Sequence, residues 1–456
     1  MQWARPARGC AISSNRIGVR EEQDARDCTE GAHPKMSATD AYCCHACVGD
    51  PFLKARIQTE GEIAECAQCG ETREAVTEFD LGQWIEAVLE GHFEPGEGDE
   101  IATIIEGIAG VTSEFAQEVA DSLGSLAGYI ASGGETFYDS DEGYVVIQNL
   151  TGRSHHRWER FTSSVRAEAR FFNREAEEWV DYIFGPLTRD RTWRGQEVIT
   201  TMPAGDAFFR ARHVASVPKA GEILKDPAGQ LGPRPNGSGS PGRMNAAGIS
   251  VFYGALDVET CIAEIRPPVG ALVVSGRFEL VRPLRLLDFD QLEMVVAKCS
   301  HFDPDYDAKM ERALFLRAFG RKIAQPVMPD DEAFGYLPTQ IVADYLAQRS
   351  TPLLDGLLYR STQTGGRGRN VVLFHHGSRV VATTGMPPAP PTAFDPFDPS
   401  GALEPVPGAD RRAETLKVDP ASLEITDIRA VDYDKHRRSV EMWNIELDER
   451  EWYPGE

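Results

Sequence analysis

The chain reads as multidomain: a small cysteine-knuckle ribbon and an α-helical stretch fill the N-terminal half, and a mixed α+β domain fills the C-terminal half. Three observations lead there. At 456 residues the chain exceeds what one ordinary hydrophobic core organises. Five of its nine cysteines fall between residues 43 and 69, four of them as two CxxC pairs. Near residue 200 the apolar pattern changes from three- and four-residue spacing to short runs broken by Gly and Pro. The resulting divisions are 1–35, 36–75, 76–200, 201–385, 386–410 and 411–456.

Composition narrows the class. A hydrophobic fraction of 41% and a charged fraction of 26% are those of a globular protein. No apolar run approaches the roughly 18 residues of a membrane span. The opening "MQWARPARGCAISSNR" is basic but lacks an apolar core and a small-residue cleavage site, so a cytoplasmic location is the default expectation. The net charge of -24 is spread along the chain and repels phosphate backbones at long range, which argues against a general nucleic-acid binder. It leaves room for a small local basic pocket. An odd, clustered cysteine count reads as metal chemistry and not as a disulfide framework.

Residues 1–35 are polar and aperiodic, and are expected to be a disordered extension, with Met36 as an alternative start. In "YCCHACVGDPFLKARIQTEGEIAECAQCGE", Cys44 and Cys47 form one knuckle and Cys66 and Cys69 the other, eighteen residues apart. Two such pairs close a tetrahedral site, so 36–75 is expected to be a zinc ribbon holding a structural zinc. Cys43 and His45 stand beside the first knuckle as alternative donors. A closed four-sulfur site has no open position and does no chemistry. From 76 to 200, "LGQWIEAVLEGHF", "IATIIEGIAGVTSEFAQEVADSL" and "SSVRAEARFFNREAEEWVDYIFGPL" carry helical periodicity, the last with Phe172, Ala176, Trp179, Val180 and Ile183 on one face. His155 and His156 read as a solvated loop or helix start. Beyond 200, "DAFFRARHV", "ISVFYGA", "ALVVSGRFEL", "PLRLLDF", "GLLYRS" and "NVVLF" are strands, with helices at "DVETCIAEI" and "DYDAKMERALFLRAFGRKIAQ". The proline-rich 386–408 is expected to be a linker or wrapping loop without a regular element. The segment from 411 has the alternation of a strand that returns to the sheet.

Several residues of this second half share one chemical theme. Arg210 lies in "FFRAR", with Arg212 as its alternative, and Arg243 lies in the loop "SPGRMN". Guanidinium and amide donors of this kind suit a phosphate. Tyr253 ends the next strand; Asp257 is placed to cap the following helix, and Glu264 falls two turns in, beside an apolar face. Ser361 follows the "GLLYR" strand, with Asn370 just beyond a Gly/Arg loop. A carboxylate in apolar company suits ribose hydroxyls or a developing cation. Taken singly, these residues read as a surface ion pair, a snorkelling acid, a turn serine and a core tyrosine. Their order is what singles them out.

The ordered set "FR … GR … FY … AE … YRS … N" resembles the RES domain, named for its arginine, glutamate and serine. The resemblance implies an ADP-ribosyltransferase-like mixed sheet over about 200–385, and an NAD-degrading activity of the kind found in toxins of toxin–antitoxin pairs. It implies catalytic roles for Arg210, Arg243, Tyr253, Glu264 and Ser361, with Arg210, Arg243, Tyr253 and Asn370 binding NAD as substrate. A cognate antitoxin or other regulatory partner would follow from the same likeness. Met244 departs from the family, which commonly has an aromatic there, and the stretch between Glu264 and Ser361 is long enough to hold inserted elements. The ribbon and helices resemble the HEPN-like module fused to longer RES proteins. Three readings stand at this level: a glycohydrolase or phosphorylase of NAD acting as a toxin or defence effector, an ADP-ribosyltransferase with a macromolecular target, and a non-catalytic sensor or scaffold.

Overall fold

A computed structural model of the chain describes residues 41–130, 137–138, 143–147, 150–235, 237–324, 335–382, 392–394, 403–405, 410 and 412–431. The extension over 1–35 and Met36 lie outside the described residues. The segment expected to be a ribbon consists of β1 (Tyr42–Cys44), α1 (Pro51–Glu60), β2 (Glu62–Glu65) and β3 (Thr72–Thr77), its strands antiparallel in the order β1-β3-β2. Asp50 starts α1 by accepting from the amides of Phe52 and Leu53, and Pro51 supplies the preset φ of a first helical residue. α2 (Glu78–His92), capped by Thr77, leads to β4 (Phe93–Asp99), α3 (Ile101–Ile105), α4 (Ser113–Ile130) and β5 (Tyr144–Val146), which pairs with β4. Val48, Leu53 and Ile57 of the ribbon share one core with Leu81, Ile85 and Phe115. Ribbon and helices therefore fold around the same buried surface.

The later helices belong elsewhere. In α5 (Leu150–Ser163) and α6 (Arg174–Phe184), Phe161, Val180 and Phe184 are buried with Leu357 and Val372 of the large sheet. The stripe expected on α6 holds for Ala176, Val180 and Ile183, with Trp179 partly buried, but not for Phe172. Asn173 caps α6 by accepting from the amide of Ala176, so Phe172 precedes the helix, fully exposed and with φ of 58°. His155 lies within α5, paired with Glu159 one turn on.

The C-terminal half runs β6 (Ile199–Met202), β7 (Ala207–Val214), α7 (Val217–Lys225), α8 (Pro227–Leu231), β8 (Phe252–Ala255), α9 (Val258–Glu264), β9 (Leu272–Leu280), β10 (Leu284–Asp288), α10 (Phe289–Leu292), α11 (Tyr306–Ala324), α12 (Leu337–Gln348), β11 (Gly356–Arg360), β12 (Arg369–Leu373), β13 (Thr392–Phe394), β14 (Leu403–Pro405), β15 (Leu416–Val418) and β16 (Glu424–Asp427). The nine-stranded sheet has the order β15-β9-β7-β8-β12-β11-β10-β6, with β16 also on β9. β10 and β11 are parallel, so the sheet is mixed. The proline-rich stretch does hold a regular element, since β13 and β14 pair as a short antiparallel hairpin. Pro405 closes its strand, where its missing N–H costs least.

One junction shapes the site. β7 pairs along its whole length with β9, but with β8 only through Phe209 and Ala255. The sheet is thus two halves hinged at one residue pair, with Phe208, Phe252, Phe278 and Leu358 packed between them. Beyond the hinge, β7 continues into Arg210 while β8 runs back to Tyr253.

The ribbon unit meets the large domain where α2 ends. His92 stacks on Tyr306 at 4.2 Å, and His301 stacks on Phe93 and Tyr306. The Nδ1 atoms of His92 and His301 lie 3.3 Å apart, so one ring must accept and both cannot be charged. Burial lowers both histidines; the His92 neighbour lowers His301 further, to about 4, while Asp307 partly offsets the effect on His92. With folded values below the usual 6.5, the unfolded chain binds more protons, so this contact stabilises fully above that pH and is lost as pH falls toward 4. Thermal denaturation between pH 7 and 4.5 should show a falling melting temperature, with a shallower slope for His301→Phe.

Candidate active site

Two clusters carry chemistry-bearing side chains. In the ribbon, the sulfurs of Cys44, Cys47, Cys66 and Cys69 all lie within 4.8 Å of one another. The Cys44–Cys47, Cys44–Cys69 and Cys47–Cys66 separations are each 3.8 Å. Four sulfurs about 2.3 Å from a central zinc form a tetrahedron with edges of about 3.8 Å, so these residues fit the metal. The alternative donors are engaged elsewhere. Cys43 is fully buried in the core, which pushes its thiol up to about 12, and His45 contacts Glu74 and Gln58.

The second cluster surrounds Glu264. Asp257 caps α9, accepting from the amide and hydroxyl of Thr260 at 2.7 and 2.8 Å. Gly368 lies so close beneath Thr260 that a Cβ there would fall 1.8 Å from its hydroxyl. This close approach lets the turn before β12 pack on α9, and it brings three segments to one point. Ser361, fully buried after β11, donates to Glu264 Oε1 at 2.5 Å. Asn370, buried on β12, donates from Nδ2 to the same oxygen at 2.8 Å. The carboxylate fixes the amide's orientation, since the reverse would set two acceptors face to face. Glu264 itself is exposed, and its Oε2 makes no hydrogen bond among the described residues. One oxygen is anchored and the other is presented.

Arg210 stands at the hinge between the half-sheets. Its guanidinium lies over the Phe252 ring at 5.1 Å, and Nη1 is sealed from solvent with no hydrogen-bond partner among the described residues. No described carboxylate pairs with it. Burial, with Arg212 and Arg234 adding like charge, lowers it to about 10, so it remains a cation at neutral pH. Leaving such a charge uncompensated costs on the order of several kcal/mol, which an arriving anion would offset. Arg212 is less available, donating to Gln230 at 3.3 Å. Three guanidinium groups thus act on one another in a strongly acidic chain. Cys261 lies within reach of both Arg210 and Glu264, but burial pushes its thiol up to about 12 and leaves it neutral.

Tyr253 and Arg243 are tied together. The Tyr253 hydroxyl donates to Asn245 Oδ1 at 2.9 Å and accepts from the Met244 amide, and burial pushes the phenol up to about 12. Its oxygen therefore holds the arginine loop, while its ring packs, partly buried, against the main core. Gly242 permits this contact, since a Cβ there would lie 2.7 Å from the phenol oxygen. The helices between Glu264 and Ser361 complete the brace. Thr339 and Gln340 of α12 donate to the carbonyls of Arg243 and Gly242, and Arg243 Nη1 donates to Ile323 O in the last turn of α11. The charges of Arg210 and Arg243 both act on Tyr253. Met244, the departure noted in the sequence, is buried in the core. A nearby cleft of about 370 Å³, lined by Met244, Ile249, Ala343, Asp344, Phe374 and His375, includes neither Glu264 nor Arg210.

Residues 207–394 match the family model of the RES domain. The chain contains a RES domain. No curated protein and no solved structure matches. The matched span of the RES domain begins with β7, ends with β13, and holds Arg210, Arg243, Tyr253, Glu264, Ser361 and Asn370; the four clustered cysteines lie outside it. A RES domain is consistent with an enzyme that acts on NAD. No described helix is long and apolar enough to cross a membrane. Arg234 and Tyr359 are RES-domain residues that sequence reasoning passed over. Arg234 sits in a Gly/Pro-rich loop whose path no pattern predicts, and Tyr359 reads as an ordinary apolar strand position.

The four-sulfur geometry predicts one zinc per chain by elemental analysis of the purified protein. Cys66→Ser should lose the metal and with it folding of the unit around Leu53, Ile57 and Leu81, visible as a separate low-temperature transition. Structural zinc sites contribute on the order of 10 kcal/mol, more than a ribbon of this size can replace.

Proposed function

We propose that the protein degrades NAD by cleaving the bond between nicotinamide and ribose, with water or phosphate as acceptor, and acts as a toxin or defence effector. The supporting observation is the presented carboxylate of Glu264, anchored through one oxygen by two buried donors, in a domain where Arg210 also keeps a sealed guanidinium nitrogen without a partner among the described residues.

The chemistry asks little of acid catalysis. Nicotinamide leaves with the electron pair of the C1′–N bond, and its ring nitrogen loses its positive charge in doing so. The sugar carbon becomes oxocarbenium-like, as in glycoside hydrolysis. An oxygen of water or phosphate then bonds to C1′, and a water nucleophile releases its proton to solvent. Glu264 Oε2 accepts from a ribose hydroxyl and stabilises the growing positive charge, which is strongest when the carboxylate is already fixed in place. In this reading Ser361 and Asn370 act through Glu264 as positioning residues. Arg210 and Arg243 meet the diphosphate. The Tyr253 ring lies against the nicotinamide side.

Incubation of the purified protein with NAD should release nicotinamide, and Glu264→Ala should lower the rate at least about 100-fold. Ser361→Ala and Asn370→Ala should each cost about 10- to 100-fold in kcat, since a hydrogen bond to a charged group contributes ~1.5–3 kcal/mol. Absence of nicotinamide release, with or without phosphate, would refute the reading; labelled ADP-ribose found on a macromolecule would replace it with transferase activity.

A further inference from the structure

The residue beside the anchored carboxylate has been left without a role. Tyr359 pairs in register with Asn370 across β11 and β12. Ser361 keeps an extended backbone two residues further on, so strand alternation sets Tyr359 and Ser361 on the same face. Tyr359, Ser361 and Asn370 form a polar triangle, two members of which are committed to Glu264 Oε1. The third behaves differently. Its ring packs beside Phe289, with centroids 6.2 Å apart, and against the main core. Its hydroxyl makes no hydrogen bond among the described residues and is not among the side-chain oxygens sealed from solvent.

A buried aromatic ring needs no hydroxyl for packing, and a tyrosine oxygen in such a place ordinarily has a partner. Phenylalanine would fill the same space. Burial, reinforced by Tyr253 and Glu264, raises the phenol pKa and keeps the group a neutral donor throughout the physiological range.

We infer that the Tyr359 hydroxyl is a further substrate contact, donating a hydrogen bond to the ribosyl group that Glu264 grips. The inference rests on the NAD reading above and adds to it a site that senses the sugar next to nicotinamide. Discrimination should therefore lie in that ribose and not in the adenylate half of the molecule.

Calorimetric titration of the full chain with ADP-ribose and with ADP, which lacks that ribose, tests this. Tyr359→Phe should melt like the unaltered protein, bind ADP-ribose about 3- to 10-fold more weakly, the range of one neutral hydrogen bond, and bind ADP unchanged. Equal ADP-ribose affinity in both proteins, or an equal loss for ADP, overturns the inference while leaving the NAD reading intact. If the unaltered protein binds neither nucleotide, the NAD reading fails and this inference with it.

Discussion

Ser361 and Asn370 donate to the same oxygen of Glu264 although they lie 97 and 106 residues away in the chain. That three-point contact sets the demands on everything around it. It requires α9 to end against the turn between β11 and β12, which Asp257 and Thr260 arrange from one side and Gly368 permits from the other. It also requires the two strands to be adjacent, which fixes the middle of the nine-stranded sheet. An exposed carboxylate held this firmly has lost most of its rotamer freedom before any ligand arrives. A group that is to stabilise a transient cation benefits directly, because no reorganisation is left for the moment of reaction.

The helices that lie between Glu264 and Ser361 acquire a purpose in this frame. α11 and α12 reach back to the arginine loop and hold it through the carbonyls of Arg243 and Gly242 and the guanidinium of Arg243. Nearer its other end, α11 is fastened to α6, where Arg312 donates to the carbonyls of Tyr182 and Ile183 and forms a two-bond contact with Asp190 just beyond that helix. One helix thus spans from the helical half to the candidate site. The arginines work against the average charge of the molecule. At physiological ionic strength a net charge of -24 is screened over about 8 Å, so a diphosphate near Arg210 responds to the guanidinium groups around it more than to distant acids.

Patterns confined to a few neighbouring residues were legible in the sequence. The CxxC pairs, the strands from "DAFFRARHV" to "NVVLF", the cap at Asp257 and the order of Arg210, Arg243, Glu264 and Ser361 all depend on local spacing or on a family likeness. Contacts across long separations were not. Nothing in "SPGRMN" says that Arg243 bonds a carbonyl 80 residues on, or that the Tyr253 hydroxyl serves the loop and not a ligand. The helical region looked uniform because periodicity reports a buried face without naming what buries it. Its first helices pack on the ribbon and its last on the RES sheet. Phe172 was misplaced because a stripe was extended past Asn173, whose capping role decides where the helix begins.

The central claim is that residues remote in sequence converge on one dinucleotide, with Glu264 at its sugar and Arg210 at its diphosphate. A crystal structure of Glu264→Gln with NAD, in which the altered side chain keeps its shape but loses its charge, tests this most directly. The account predicts the nicotinamide ribose against position 264, Ser361 and Asn370 behind it, and the diphosphate within hydrogen-bond distance of Arg210. NAD bound elsewhere, with Arg210 still unpartnered, would contradict it.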